Sequence, residues 1–236
     1  MTNFDDTYAI RLRGDYDEPV SRWLWVVKWL LLIPHFIVLF FLNLARFVVT
    51  IIAFFAILFI GRYPRGLFEF SVGVLRWTWR VRFYGYGALG TDKYPPFTLR
   101  STDYPADLSI DYPERLSRGL VLVKWWLLAI PHYLIIAAVV GTAVQTLDRE
   151  TSAGPVAISL FVVLLLIVVV ALLFTGRYPR GIFDLLVGIN RWGYRVQAYV
   201  SLLRDEYPPF RLDQGPEEPA RPDGFADVDV HVPDTQ

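Results

Sequence analysis

Two histidines, each directly after a proline inside a long apolar run, are the residues best placed to do chemistry: Ile33-Pro34-His35 and Ile130-Pro131-His132. Imidazole titrates near neutral pH and ligates metals. An ionisable group inside an apolar span is a functional candidate by default. Two such rings face to face would make a proton relay or a metal pair. The opposing reading is a neutral ring bonded to a carbonyl that the proline frees from the helix ladder. No carboxylate lies in these runs to complete a relay or orient a metal ligand. The second reading is therefore preferred, and no metal or cofactor is expected. Lys28 and Lys124 sit one to two turns deeper than the first tryptophans. They read as snorkelling to the headgroups, or more sharply as counter-charges for a buried substrate.

Arginine supplies the second candidate chemistry. Gly61-Arg62-Tyr63-Pro64-Arg65-Gly66 returns unchanged at 176–181. It lacks the Gly-Lys-Ser/Thr ending of a phosphate loop. Arg62, Arg65, Arg177 and Arg180 could hold the phosphates of anionic lipids, or serve as anchors beside a proline-fixed turn. Glu69, Arg76 and Arg80 fall on one face of the helix that follows, and Asp184, Arg191 and Arg195 repeat the pattern. An acid seven residues before its arginine is too distant for a contact within one helix. These stripes are expected to face each other or the sheet, with Glu69 meeting the arginines of repeat two and Asp184 those of repeat one, and so to lock the copies together. Gly85-Tyr86-Gly87-Ala88-Leu89-Gly90 matches the dinucleotide pattern but has no strand before it, so a helix-ending glycine cluster is preferred. There is no Gly-x-Ser-x-Gly, no His-Glu-x-x-His and no cysteine. No catalytic set is legible.

The elements that position these groups are apolar. Of 236 residues, 54% are hydrophobic and 19% charged. Residues 23–60 carry only Lys28, His35 and Arg46 as ionisable groups, and 156–175 carry none. Runs of this length read as membrane spans, which excludes a soluble globular protein and a free-standing disordered chain. The polar first twenty residues argue against a signal peptide. The chain is also duplicated. Ser21-Arg22, Lys28-Trp29, Arg76-Trp77 and Tyr94-Pro95-Pro96-Phe97 return as Ser117-Arg118, Lys124-Trp125, Arg191-Trp192 and Tyr207-Pro208-Pro209-Phe210. Repeat one covers 8–100 and repeat two 104–212, after a tail at 1–7.

The second copy inserts a polar stretch at 148–155, which predicts a hairpin of spans at 118–147 and 156–175. By analogy, repeat one is expected to cross at 22–42 and 46–60, with a tight turn at Asn43–Arg46. Two crossings per copy make the repeats parallel, related by an axis along the membrane normal. The basic residues cluster away from the hairpin tips, so both termini and both arginine motifs are expected in the cytoplasm. Segments 67–89 and 182–203 carry too much charge to cross and read as interfacial amphipathic helices. Short alternating stretches at 8–13 and 107–111, with 97–99 and 210–212, suggest a small four-stranded cytoplasmic sheet. The acidic, proline-rich end, 213–236, reads as disordered.

The Ser-Arg-Trp-Leu-Trp, Lys-Trp and Ile-Pro-His residues, the doubled arginine motif and the Tyr-Pro-Pro-Phe loops together resemble an uncharacterised family of actinobacterial and related bacterial membrane proteins, catalogued as a domain of unknown function. The resemblance spans about 8–212 and implies a small bacterial inner-membrane protein without supplying an activity. The fold expected is mainly α: two parallel pseudo-twofold repeats, each a transmembrane hairpin plus an interfacial helix, over a small sheet. The function expected is a non-catalytic scaffold or accessory module that binds anionic lipid or a membrane partner, a second copy included, and no nucleic acid. The alternatives are a small transporter or channel with a site near His35 and His132, and a lipid-modifying enzyme. A scaffold should pack its spans dry, with Ala137 and Gly141 at a small-residue contact.

Overall fold

The computed structural model describes residues 9–17, 19–140 and 160–213. The expected tail at 1–7, the inserted stretch at 148–155, the Ala137–Gly141 contact and most of the acidic end lie outside what is described. In chain order the elements are β1 (Ile10–Gly14), α1 (Trp25–Ile60), α2 (Arg65–Tyr84), β2 (Ala106–Ile110), α3 (Leu120–Val123), α4 (Ile130–Val140), α5 (Leu160–Thr175) and α6 (Arg180–Val200). The described residues are mostly helical, with one two-stranded sheet.

α1 corrects the first expectation. It runs unbroken for 36 residues, through Pro34 and through the expected turn at Asn43–Arg46. The turn fails because nothing there stops a helix. No glycine or proline is present, and the polar side chains are satisfied without leaving the helix. Asn43 donates to Leu39 O at 2.8 Å and Thr50 to Arg46 O at 2.9 Å, the local back-bonding open to short polar side chains. The helix ends at Gly61, whose φ of 75° is left-handed and whose N–H bonds Ile57 O. Gly176 ends α5 in the same conformation, at φ 66°. Among the described residues, α1 is the one helix long and apolar enough to cross a membrane.

β1 and β2 pair antiparallel with Leu12 opposite Leu108 and Ile10 opposite Ile110. These four side chains are buried, as the alternation predicts. The expected third and fourth strands do not form. Residues 97–99 and 210–212 remain loops. Their prolines lack a ladder donor, and carbonyl oxygens in and beside them are taken by arginines instead. Arg80 donates to Thr98 O and Arg100 O, and Arg195 to Arg211 O and Asp213 O.

The helices expected at 67–89 and 182–203 form as α2 and α6, ending earlier. They are not laid on the outside of the protein. α2 packs between α1 and β2, while α6 packs on β1 and α5. Arg76 Nε donates to Leu108 O at 2.8 Å and Arg191 Nε to Leu12 O at 3.4 Å. Each helix therefore lies on the strand from the other half of the chain. The main core gathers Leu12, Trp79, Phe83, Leu108, Phe183 and Tyr194 between them.

Both ends of α1 are tied to this polar layer. Before it, Ser21 N donates to the carboxylate of Asp92. After it, Leu116 N donates to Gly61 O at 2.9 Å. The outer surfaces of α1, α4 and α5 are different. Phe36, Phe40, Phe47, Phe55, Leu134 and Leu166 are all exposed there.

Candidate membrane-facing site

The repeated arginine motif is a connector whose parts have separable roles. Its first glycine supplies the left-handed helix end. Its proline occupies the N-cap of the next helix, Pro64 for α2 and Pro179 for α6. Its tyrosine is a buried peg. Tyr63 OH pairs with Ser71 Oγ at 3.2 Å, and Tyr112 OH donates to Tyr63 O. Tyr178 OH donates to Ala88 O, and burial raises that hydroxyl above its ordinary range, holding it as a neutral donor. The rings interlock across the halves: Tyr112 packs on Phe68, and Tyr16 on Tyr178 and Phe183. The four arginines Arg62, Arg65, Arg177 and Arg180 are exposed at these turns. Arg65 lies 4.9 Å from the ring of Tyr112.

The arginines of the charged stripes face the sheet, as one arm of the expectation has it, but their own acids do not pair across the copies. Glu69 and Asp184 are exposed, and the arginines take other partners. Arg80 and Arg195 are wholly buried. Their forks clasp the loop carbonyls that follow each Tyr-Pro-Pro-Phe, while Arg76 and Arg191 add Leu99 O and Leu212 O. Asp107 on β2 is the acid that meets the first stripe, 3.1 Å from both Arg76 and Arg80. Burial lowers the affinity of the Arg80 guanidinium for its proton, and Asp107 opposes that. The planar fork explains why both positions are arginine: one side chain reaches two carbonyls at once.

Lys28 and Lys124 do not snorkel. Both are fully buried. Lys28 Nζ donates to Thr91 O at 2.7 Å and lies 3.0 Å from Asp92. Lys124 Nζ donates to Arg204 O at 3.1 Å and lies 2.7 Å from Asp205. The same carboxylates accept the backbone N–H of Ser21 and Ser117, fixing the starts of α1 and of the α3 segment. Asp92 and Asp205, with Asp107, are the site residues that the sequence reading missed. A signal was present for two of them, since each stands two residues before a repeated Tyr-Pro-Pro-Phe.

The histidines are enclosed separately. His35 stacks on Phe97 at 3.9 Å, with Tyr94 and Trp77 completing the cage. His132 stacks on Phe210 at 4.5 Å, beside Tyr207 and Trp192. Each ring keeps to the aromatics of its own half, so the facing pair does not form. The proposed carbonyl partner is also replaced. Trp77 Nε1 donates to His35 Nδ1 at 3.1 Å, which leaves the proton on Nε2 of a neutral ring. The Tyr94 hydroxyl caps Leu31 O beside the proline instead.

A family model described as Domain of unknown function (DUF4389) matches residues 22–98 and 153–211. The two stretches contain both arginine turns and both Tyr-Pro-Pro-Phe loops. No curated protein and no solved structure matches the chain.

Proposed function

For this chain, which belongs to the family described as Domain of unknown function (DUF4389), we propose a non-catalytic role as an integral scaffold of the bacterial inner membrane that binds anionic lipid. The observation that carries the reading is the apolar surface of α1, α4 and α5. Aromatic and aliphatic side chains are exposed there over a length that water would penalise, such as Phe40 at 66%, Phe59 at 71% and Phe174 at 82%. Lipid is the solvent that such a surface fits.

The polar layer of sheet, turns and Asp92 and Asp205 loops then sits at the headgroups. Trp23, Trp29, Trp125 and Trp126, all exposed at the starts of the apolar segments, form an interfacial belt. The arginines of the two turns face lipid phosphates. The contacts made by Arg76 and Arg191 support two parallel pseudo-twofold repeats. The clustering of basic residues supports a cytoplasmic placement of both termini.

Spin labels on cysteines at Phe40, Ile167, Arg62 and Arg177 test this in vesicles of phosphatidylglycerol and phosphatidylcholine. Labels at Phe40 and Ile167 should report hydrocarbon depth, and those at Arg62 and Arg177 headgroup depth. Water-exposed labels at Phe40 and Ile167, or extraction of the native chain from membranes by carbonate, would refute the proposal.

A further inference from the structure

Arg46 stands in the middle of α1 with neutral partners. Its Nη1 donates to Ser201 Oγ at 2.8 Å and its Nε to Asn43 Oδ1 at 3.4 Å. Among the described residues no carboxylate pairs with it. A guanidinium held among apolar side chains is costly unless a counter-charge is supplied from elsewhere.

Two cavities share Arg46, Val200 and Ser201 in their walls. The first, about 510 Å³, adds Arg82, Tyr194 and Trp192. Tyr194 is 2% exposed, yet its hydroxyl has no hydrogen-bond partner. Buried donors without acceptors are rare, because each forfeits its hydration. The second cavity, about 460 Å³, is walled by Phe47, Ile51, Phe54, Phe55 and Leu202. No acid lines either one. Two guanidiniums and one idle donor thus line a chamber that adjoins an apolar groove. Neither His35 nor His132 contributes to it.

We infer that the joined cavities bind one anionic acyl lipid, its phosphate between Arg46 and Arg82 and an acyl chain along Phe47, Ile51 and Phe54. Phosphate oxygens supply the missing acceptor for Tyr194, and the groove takes the chain out of water. The inference rests on the membrane placement proposed above, but not on the arginines of the turns.

The test uses the full chain, delipidated in maltoside, with lipid binding counted by native mass spectrometry. Dioleoyl phosphatidylglycerol should occupy one saturable site, and dioleoyl phosphatidylcholine should bind at least about tenfold more weakly. Losing one charge-assisted bond to phosphate corresponds to about ten- to hundredfold in affinity. Arg46→Gln and Arg82→Gln should each weaken phosphatidylglycerol by that amount, and Tyr194→Phe by a few-fold. Arg82 is exposed, so its variant folds even if the Arg46 variant does not. Thr50→Trp, which obstructs the groove, should weaken the lipid and leave glycerol 3-phosphate unaffected. Wild-type binding by Arg82→Gln and Tyr194→Phe, or equal binding of phosphatidylcholine, would overturn the site. Glycerol 3-phosphate that binds as tightly as the lipid would reassign it to a soluble phosphate ester. Carbonate extraction of the chain would instead defeat the membrane reading itself, whereas failure of this site leaves that reading standing.

Discussion

At the scale of single residues, charge in this protein serves mainly to hold backbone. Arg80 is fully buried and bonded to two carbonyls and to Asp107. Removing the acid leaves a desolvated guanidinium with only neutral partners, a loss of about 3 kcal/mol. Asp107→Asn should therefore lower the thermal midpoint of the detergent-solubilised chain sharply, and Arg80→Lys should do the same by losing the fork. Glu69→Gln, on the same stripe but exposed, should melt like the parent. Equal melting of Asp107→Asn and Glu69→Gln would show that the buried contacts contribute nothing. Asp92→Asn adds a second case, because it strips the ion-pair partner from Lys28 and weakens the acceptor for Ser21 N. It should destabilise more than Asp17→Asn, whose salt-bridge partner Lys93 is exposed.

At the scale of elements, glycines decide how closely helix and loop approach. A Cβ on Gly73 would stand 2.8 Å from Leu99 Cβ and 3.1 Å from its carbonyl oxygen, and one on Gly188 would meet Leu212 in the same way. Those carbonyls are the acceptors for Arg76 and Arg191, so the backbone cannot retreat without breaking those bonds. Gly73→Ala and Gly188→Ala should each cost about 1–3 kcal/mol, the range for overpacking. Gly66 and Gly181 have open space around a Cβ. Alanine there should be neutral or stabilise by up to about 1 kcal/mol, since both stand in helices. A denaturation series of the four variants separates the pairs, and a Gly73→Ala protein as stable as Gly66→Ala would contradict the close packing. At Gly61, φ is left-handed, and alanine should cost about 1–2 kcal/mol for that reason alone.

At the scale of the whole molecule, the two halves are interlocked rather than side by side. α2 lies on β2 and α6 on β1, the Tyr112 hydroxyl binds Tyr63 O, and Asn190 Nδ2 donates to Gly87 O at 2.9 Å. A half-chain lacks the strand that its own helix covers. Residues 1–103 expressed alone should therefore be degraded or aggregate, and co-expression with 104–236 should restore a soluble detergent complex on gel filtration. A monomeric half that melts cooperatively would contradict the interlock. This arrangement also explains why the stripes recur in sequence while their acids do not pair across the halves. The stripe arginines reach the strand of the other half instead, Arg76 at Leu108 O and Asp107 and Arg191 at Leu12 O.

Local signals carried much of this architecture. The apolarity of α1, the alternation in β1 and β2 and the recurrence of Arg76, Arg80, Arg191 and Arg195 were all legible in the residue order. Each depends on short-range sterics or on a side-chain period. The partners were not legible. Sequence spacing implied that Glu69 or Asp184 would answer the arginines, that Lys28 and Lys124 would reach for headgroups, and that Asn43–Arg46 would turn. The acceptors turned out to be carbonyls and carboxylates from 16 to 179 residues away, such as Arg211 O for Arg195, Thr91 O for Lys28 and Leu12 O for Arg191. A buried charge takes whichever acceptor packing brings within about 3 Å, and that choice depends on how the halves interlock. Tertiary structure likewise decided the place of Arg46: Ser201, 155 residues along the chain, accepts its hydrogen bond, so a residue that reads as a hairpin tip bonds the end of α6 instead.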